Sequence, residues 1–169
     1  MFKRLTIVIA AVLMVAPALV SNANAGGSFG GGIHYLHNLA DIKDDTSFDN
    51  NAFSILGSYM WSGPLLKFEG QAEYIFDMYG SGKAGWAPQA YVLVGGMIYG
   101  GAGIGIYYTD GDWANDPFYN LRAGVNLGLG GMNLDVYGTY QFWSEGDLKD
   151  LTGEDFNAVT FAAVLRFGM

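Results

Sequence analysis

The sequence predicts an all-β protein, an eight-stranded antiparallel up-and-down barrel of the kind whose strands cross a membrane. Three observations predict it. First, the stretch Leu65–Asp77, LLKFEGQAEYIFD, sets Leu66, Phe68, Gly70, Ala72, Tyr74 and Phe76 against Lys67, Glu69, Gln71 and Glu73 at alternate positions. Side chains alternate between the faces of a strand, so this one has an apolar face and a charged face; 3.6 residues per turn would scatter them around a helix. Second, seven further stretches follow the same rule more loosely. Third, short Gly-rich turns alternate with long acidic loops along the chain. Beyond residue 25 no apolar run approaches the ~20 residues of a membrane-spanning helix, so strands must make any crossing.

The first residues stand apart from the barrel. MFKR is basic, LTIVIAAVLMVAPALV is apolar, and SNANA ends in the small-x-small pattern Ala23-Asn24-Ala25. That order predicts a secretory signal peptide cut after Ala25, with residues 26–169 forming one domain. Without Lys3 and Arg4, six basic residues face sixteen acidic ones, a net charge of −10. Such a chain does not hold a nucleic-acid backbone by electrostatics. With no cysteine, neither disulfides nor thiol chemistry is available.

The strands follow in order. Ser28–Asn38 places Phe29, Gly31, Ile33 and Tyr35 on one face, and a loop from Leu39 to Asn51 carries Asp41, Asp44, Asp45 and Asp49. Ala52–Trp61 aligns Phe53, Ile55, Gly57, Tyr59 and Trp61 before the tight turn Ser62-Gly63-Pro64. After the third strand and a loop over 78–85, Trp86–Val94 aligns Pro88, Ala90, Val92 and Val94. Proline cannot donate to a ladder, so Pro88 is expected at the rim, beyond the fully paired zone. Gly95-Gly96 is expected to make a two-residue hairpin turn. Met97–Tyr108 sets Ile98, Gly100, Ala102, Ile104, Ile106 and Tyr108 against Tyr99, Gly101, Gly103, Gly105 and Tyr107, and the segment TDGDWANDP reads as an acidic loop. Phe118–Leu127 sends Tyr119, Leu121, Ala123, Val125 and Leu127 one way and Asn120, Arg122, Gly124 and Asn126 the other. Gly128–Gly131 turns the chain into Met132–Trp143, where Leu134, Val136, Gly138, Tyr140 and Phe142 oppose Asn133, Asp135, Tyr137, Thr139 and Gln141. Ser144–Asp155 is the last acidic loop, and Phe156–Met169 closes the set with Val159, Phe161, Ala163, Leu165 and Phe167 together.

Strands of about ten residues match the ~9–11 needed to cross a bilayer on a tilt. Alternation alone does not say which face is outside, because a soluble ligand-binding barrel turns its apolar face inward. Aromatic residues concentrated at strand ends, a chain that stops on a strand, and the strict long/short alternation of loops favour the membrane arrangement. In this pattern and in the terminal strand FNAVTFAAVLRF, the chain resembles the small eight-stranded outer-membrane proteins of Gram-negative bacteria, the OmpA/OmpX-like, porin-like group. The resemblance covers residues 27–169; Gly168 and Met169 after the last phenylalanine depart from the group's aromatic-ended terminal signal. It implies an outer-membrane location in the cell envelope, short turns in the periplasm and long loops outside. The implied partners are outer-membrane lipids, lipopolysaccharide and the barrel-assembly machinery, with a monomer expected.

If the apolar faces meet lipid, the lumen holds Lys67, Glu69, Gln71, Glu73, Asn120, Arg122, Asn126, Asp135, Gln141 and Arg166. Eight strands leave an interior just wide enough for side chains, and buried charges need partners. Asp135 is therefore expected to pair with Arg166, and Arg122 with Glu69 or Glu73. The glycines facing inward leave space, which Tyr99, Tyr107 and Tyr137 have the bulk to fill. His34 and His37 stand three apart and so face opposite sides of a strand, so a shared metal ion is not expected. His34 shows no clear serine-acid neighbours, so a lipid-modifying enzyme is not expected, and no cofactor site is legible. Asp110, Asp112 and Asp116 lack the glycine and closing glutamate of a calcium loop. The expected function is structural or surface-interacting, around a largely plugged polar lumen. The alternative is a narrow channel or carrier for small solutes or apolar compounds.

Overall fold

The computed structural model describes residues 26–38, 51–78, 81–143 and 158–168. Its elements run β1 (Gly26–Asn38), β2 (Asn51–Ser62), β3 (Leu66–Ile75), β4 (Gly85–Gly95), β5 (Ile98–Gly105), β6 (Tyr108–Thr109), β7 (Asp112–Trp113), β8 (Phe118–Gly128), β9 (Met132–Trp143) and β10 (Ala158–Gly168). The predicted cleavage site and the acidic loops at 39–50 and 144–157 lie outside the described residues. Each long strand pairs antiparallel with its chain neighbours, and β1 pairs with β10 from Ser28↔Gly168 to Asn38↔Ala158. The eight long strands thus close into an up-and-down barrel, as the alternation predicts.

The alternation also fixes what lies inside. On β2, Phe53 and Ile55 are exposed, while Ser54, Leu56, Ser58 and Met60 are buried. On β3, Lys67, Glu69, Gln71 and Glu73 are buried while Leu66 is exposed. Polar and charged side chains fill the barrel and large apolar ones stud its outside, the reverse of a protein core packed for water. Aromatic pairs ring both ends of that outer face. Toward the short turns stand Phe29 with Tyr59 (4.9 Å between centroids) and Trp61 with Phe68 (5.6 Å). Toward the long loops stand Tyr35 with Phe53 (5.1 Å), Tyr74 with Trp86 (4.9 Å) and Tyr119 with Phe142 (5.8 Å).

Four local expectations need correction. Pro88 sits inside the wall: it pairs with Ala72 of β3, and β4 keeps a single register through it, with Gln89 opposite Gly105 and Trp86 opposite Tyr108. It accepts from the Ile106 N–H at 3.2 Å but has no N–H to return, and there β5 ends and β6 begins. The segment read as an acidic loop after the fifth strand folds into the hairpin β6–β7, in which Tyr108 faces Trp113 and Thr109 faces Asp112. Asp110 (φ 56°) and Gly111 (φ 87°) take the left-handed conformation a tight hairpin requires, a signal the Asp-Gly dipeptide carried all along. Gly95 belongs to β4 and pairs with Tyr99, so the connection before β5 is Gly96-Met97 rather than Gly95-Gly96. The interior is also less uniformly polar than predicted. Leu36, Ala52, Ile75, Ala87, Tyr107 and Phe118 make an apolar cluster toward the loops, and Leu56, Met60, Leu93 and Val164 contribute to another.

Candidate functional site: the barrel interior

The nine side chains singled out on polar faces — Lys67, Glu69, Gln71, Glu73, Asn120, Arg122, Asp135, Gln141 and Arg166 — are all buried inside the barrel, whereas Asn126 is only half-buried. They fall into layers along the barrel axis, because neighbouring strands bring alternate residues to similar heights.

The first layer is ionic. The Glu69 carboxylate accepts from Arg122 Nη1 through Oε2 at 2.7 Å and from Arg166 Nη2 through Oε1 at 2.6 Å. Arg166 also donates from Nε to Asp135 Oδ2 (2.8 Å) and from Nη1 to Ser58 Oγ (2.9 Å). Two guanidiniums and two carboxylates therefore compensate each other across four strands, with every charge-bearing atom sheltered from solvent. Charge-assisted bonds of this length make burial tolerable. Arg122 takes Glu69 and not Glu73, and its guanidinium carbon lies 3.5 Å from the Tyr91 ring centroid and 3.8 Å from that of Tyr137. Below this layer Lys67 has no carboxylate partner within ion-pair reach among the described residues. It donates to the Gly96 carbonyl at 2.7 Å and stands 4.9 Å from the Tyr99 ring, whose hydroxyl donates to Asp135 (2.7 Å).

The second layer centres on Glu73. His34 Nδ1 lies 2.7 Å from Glu73 Oε1, the Ser54 hydroxyl donates to the same oxygen, and Gln89 Nε2 donates to Oε2 at 2.7 Å. Gln89 Oε1 in turn accepts from the Tyr91 hydroxyl and from Asn120 Nδ2 (3.0 Å), which also donates to the Tyr91 hydroxyl at 2.7 Å. His34 thus does have a serine and an acid beside it, against expectation. The geometry is not that of a nucleophilic triad, however. The serine bonds the carboxylate, not the imidazole, so the imidazole is not placed to take its proton. Nearer the loops, Gln141 Nε2 donates to the Tyr107 hydroxyl (2.7 Å), against the apolar cluster. Among the described residues no group of three or more potential ligands is placed to hold a metal ion.

Of the inward glycines, Gly103, Gly105 and Gly124 are where aromatic bulk goes. A Cβ on Gly103 would overlap the Tyr91 ring, and one on Gly124 would stand 2.6 Å from the Tyr99 hydroxyl and 2.7 Å from Tyr137 Cβ. The rings occupy the space. Gly124→Leu is accordingly expected to destabilise by about 1–3 kcal/mol through overpacking, measured by denaturant unfolding of the barrel in detergent. Little change would mean that the interior yields at this level.

Ser54, Ser58, Gln89, Tyr91, Thr139 and Thr160 also belong to the interior polar set. Their signal was the same period-two alternation, on the faces of β2, β4, β9 and β10 opposite the apolar ones.

No family model matches the chain, and no curated protein matches it. Among solved structures it is similar to a de novo designed transmembrane β-barrel at 10% identity, with a TM-score of 0.49 over 87% of this chain and 98% of that one. A second likeness is to the solution NMR structure of the de novo designed TMB2.3, at 13% identity and a TM-score of 0.46 over 86% and 97% of the two chains.

Proposed function

We propose that the chain is an integral outer-membrane β-barrel with a structural or surface-interaction role and a largely plugged polar lumen. The observation that carries the reading is the Glu69 carboxylate held between Arg122 and Arg166, which ties opposite walls together through the lumen. The outer face supports the membrane setting. Ile33, Phe53, Ile98, Leu121 and Phe161 are each more than half exposed, and burying such a side chain is worth about 1.5–3 kcal/mol. Lipid tolerates only helices and closed sheets, and closure at β1–β10 satisfies that condition. In this reading the lipids and lipopolysaccharide of the outer membrane cover the apolar belt, the barrel-assembly machinery inserts the chain, and the barrel acts as a monomer.

The test is electrical. Purified barrel reconstituted in planar bilayers is expected to give no steady conductance, in a preparation whose unboiled form migrates differently from the boiled one on gels and is therefore closed. A steady conductance that changes with Arg122→Ala would overturn the plugged reading in favour of a narrow channel.

A further inference from the structure

We propose that the barrel holds an internal water cluster between its ionic layer and the apolar cluster toward the loops, bound by His34, Gln71, Asn120 and Thr139. Each of these residues is at most 4% exposed. His34 Nε2, Gln71 Nε2, Asn120 Oδ1 and Thr139 Oγ1 nevertheless have no hydrogen-bond partner among the described residues. Buried polar atoms are nearly always satisfied by protein or by ordered water, and these four orphans, with Arg122 Nε as a fifth in the same barrel interior, call for a common partner.

Reorienting the side chains does not cure the orphans. Glu73 is a carboxylate that accepts from Ser54, so Gln89 must turn its amide nitrogen to Glu73 Oε2 and its oxygen to Asn120. Asn120 therefore gives Nδ2 to Gln89 and Tyr91, and its Oδ1 is the atom left over. Gln71 is pinned in the same way, because its Oε1 accepts from Arg122 Nη2 and from the Tyr137 hydroxyl, each at 3.0 Å. An imidazole bonded through Nδ1 to Glu73 leaves Nε2 over, an acceptor in the neutral ring and a donor in the charged one. The remaining inventory is the Gln71 amide donor, the Arg122 Nε–H donor, the Asn120 amide-oxygen acceptor, an imidazole nitrogen and a hydroxyl that does either. Water, with two protons and two lone pairs, matches that mixture; an ion or an apolar guest does not.

The residues also lie together. His34, Glu73, Gln89 and Asn120 form one bonded chain across β1, β3, β4 and β8. Thr139 is the Cα partner of Arg122, one inward step from Asn120 along β8, and the His34 ring lies 6.2 Å from that of Tyr137, one inward step from Thr139 along β9. The stacked Arg122 closes the level on one side, and Leu36, Ile75, Tyr107 and Phe118 close it on the other. Water held there exchanges slowly. The inference rests on the interior alone and holds whether or not the outer face meets lipid.

Oxygen-17 magnetic relaxation dispersion of the intact barrel in detergent reads slowly exchanging internal water directly. A dispersion step is expected for the native protein, diminished in Thr139→Val, which is nearly isosteric but offers no hydroxyl. Thr139→Val is also expected to lower the urea midpoint, since it removes a bond to water. In a dry interior the same substitution removes an unsatisfied hydroxyl and raises the midpoint. Absence of a dispersion step in the native protein, or a step that Thr139→Val leaves at full amplitude, would overturn the proposal. The native measurement decides the first point even if the variant does not fold.

Discussion

Glu69→Ala is expected to destabilise the barrel by more than the ~3–5 kcal/mol that follows from breaking one buried ion pair. A single carboxylate holds two guanidiniums there, one on each oxygen. Its removal takes a carboxylate partner from both. Arg166 keeps Asp135 and Ser58, but Arg122 keeps only Gln71 and the two tyrosine faces. Arg122→Ala is expected to cost less, because Glu69 then still has Arg166. The double variant should cost less than the two single losses added together, since the second removal takes away a charge already without its partner. Urea unfolding of the four proteins in the same detergent measures all three quantities. A coupling below about 1 kcal/mol would mean that water screens the charges and that the lumen is wet throughout.

The second large effect lies on the other side of the wall. Ala123 is the sixth residue of the eleven-residue β8, faces outward and is exposed. Ala123→Arg is expected to cost about 2–4 kcal/mol in a bilayer, where the guanidinium would stand at mid-depth in hydrocarbon, and Ala102→Arg should behave alike. Gly128→Arg, at the short-turn end of the same strand, should cost about 0–1 kcal/mol. In a water-soluble barrel all three sites are solvated surface, and each change should stay within about 0.5 kcal/mol. Equal, small costs measured by refolding into lipid vesicles would thus remove the membrane reading.

How far the sequence carried these results depends on the range of the interaction concerned. Which residues of β3 share a face is a two-residue property, so Glu69 and Glu73 could be grouped from LLKFEGQAEYIFD alone; that this face turns inward took the loop and aromatic pattern of the whole chain. Which partner each would take is decided across the barrel. Arg122 was equally free to meet either glutamate, until the His34–Glu73 contact, between residues 39 apart in the chain, claimed the second. His34 itself looked isolated because its neighbours come from other strands, Ser54 from the adjacent β2 and Glu73 from β3 beyond it, where no motif spacing records them. The hairpin β6–β7 was different: Asp110-Gly111 announced it locally, but the acidity of the surrounding TDGDWANDP drew attention away from the turn chemistry. Pro88 obeyed its chemistry and not its expected place, since the cost of one missing donor is a break in one ladder and not exclusion from the wall.

The seam between β1 and β10 has a bearing on the order in which the molecule assembles. Until those strands meet, the growing sheet has two unpaired edges, which is where misassembly and aggregation begin. Closing them joins the two ends of the described chain, the kind of non-local contact that makes folding slow. Arg166 lies on the strand that closes last in chain order. Its bonds to Ser58 and Glu69 span 108 and 97 residues, and it also completes Asp135 on the neighbouring strand. Asp135, on the strand paired with β10, meets this cation within that hairpin, but before closure Glu69 lacks it; after closure Glu69 does not. The step that seals the wall is therefore the same step that neutralises the interior, so a half-closed barrel is penalised twice, along its edges and along its axis.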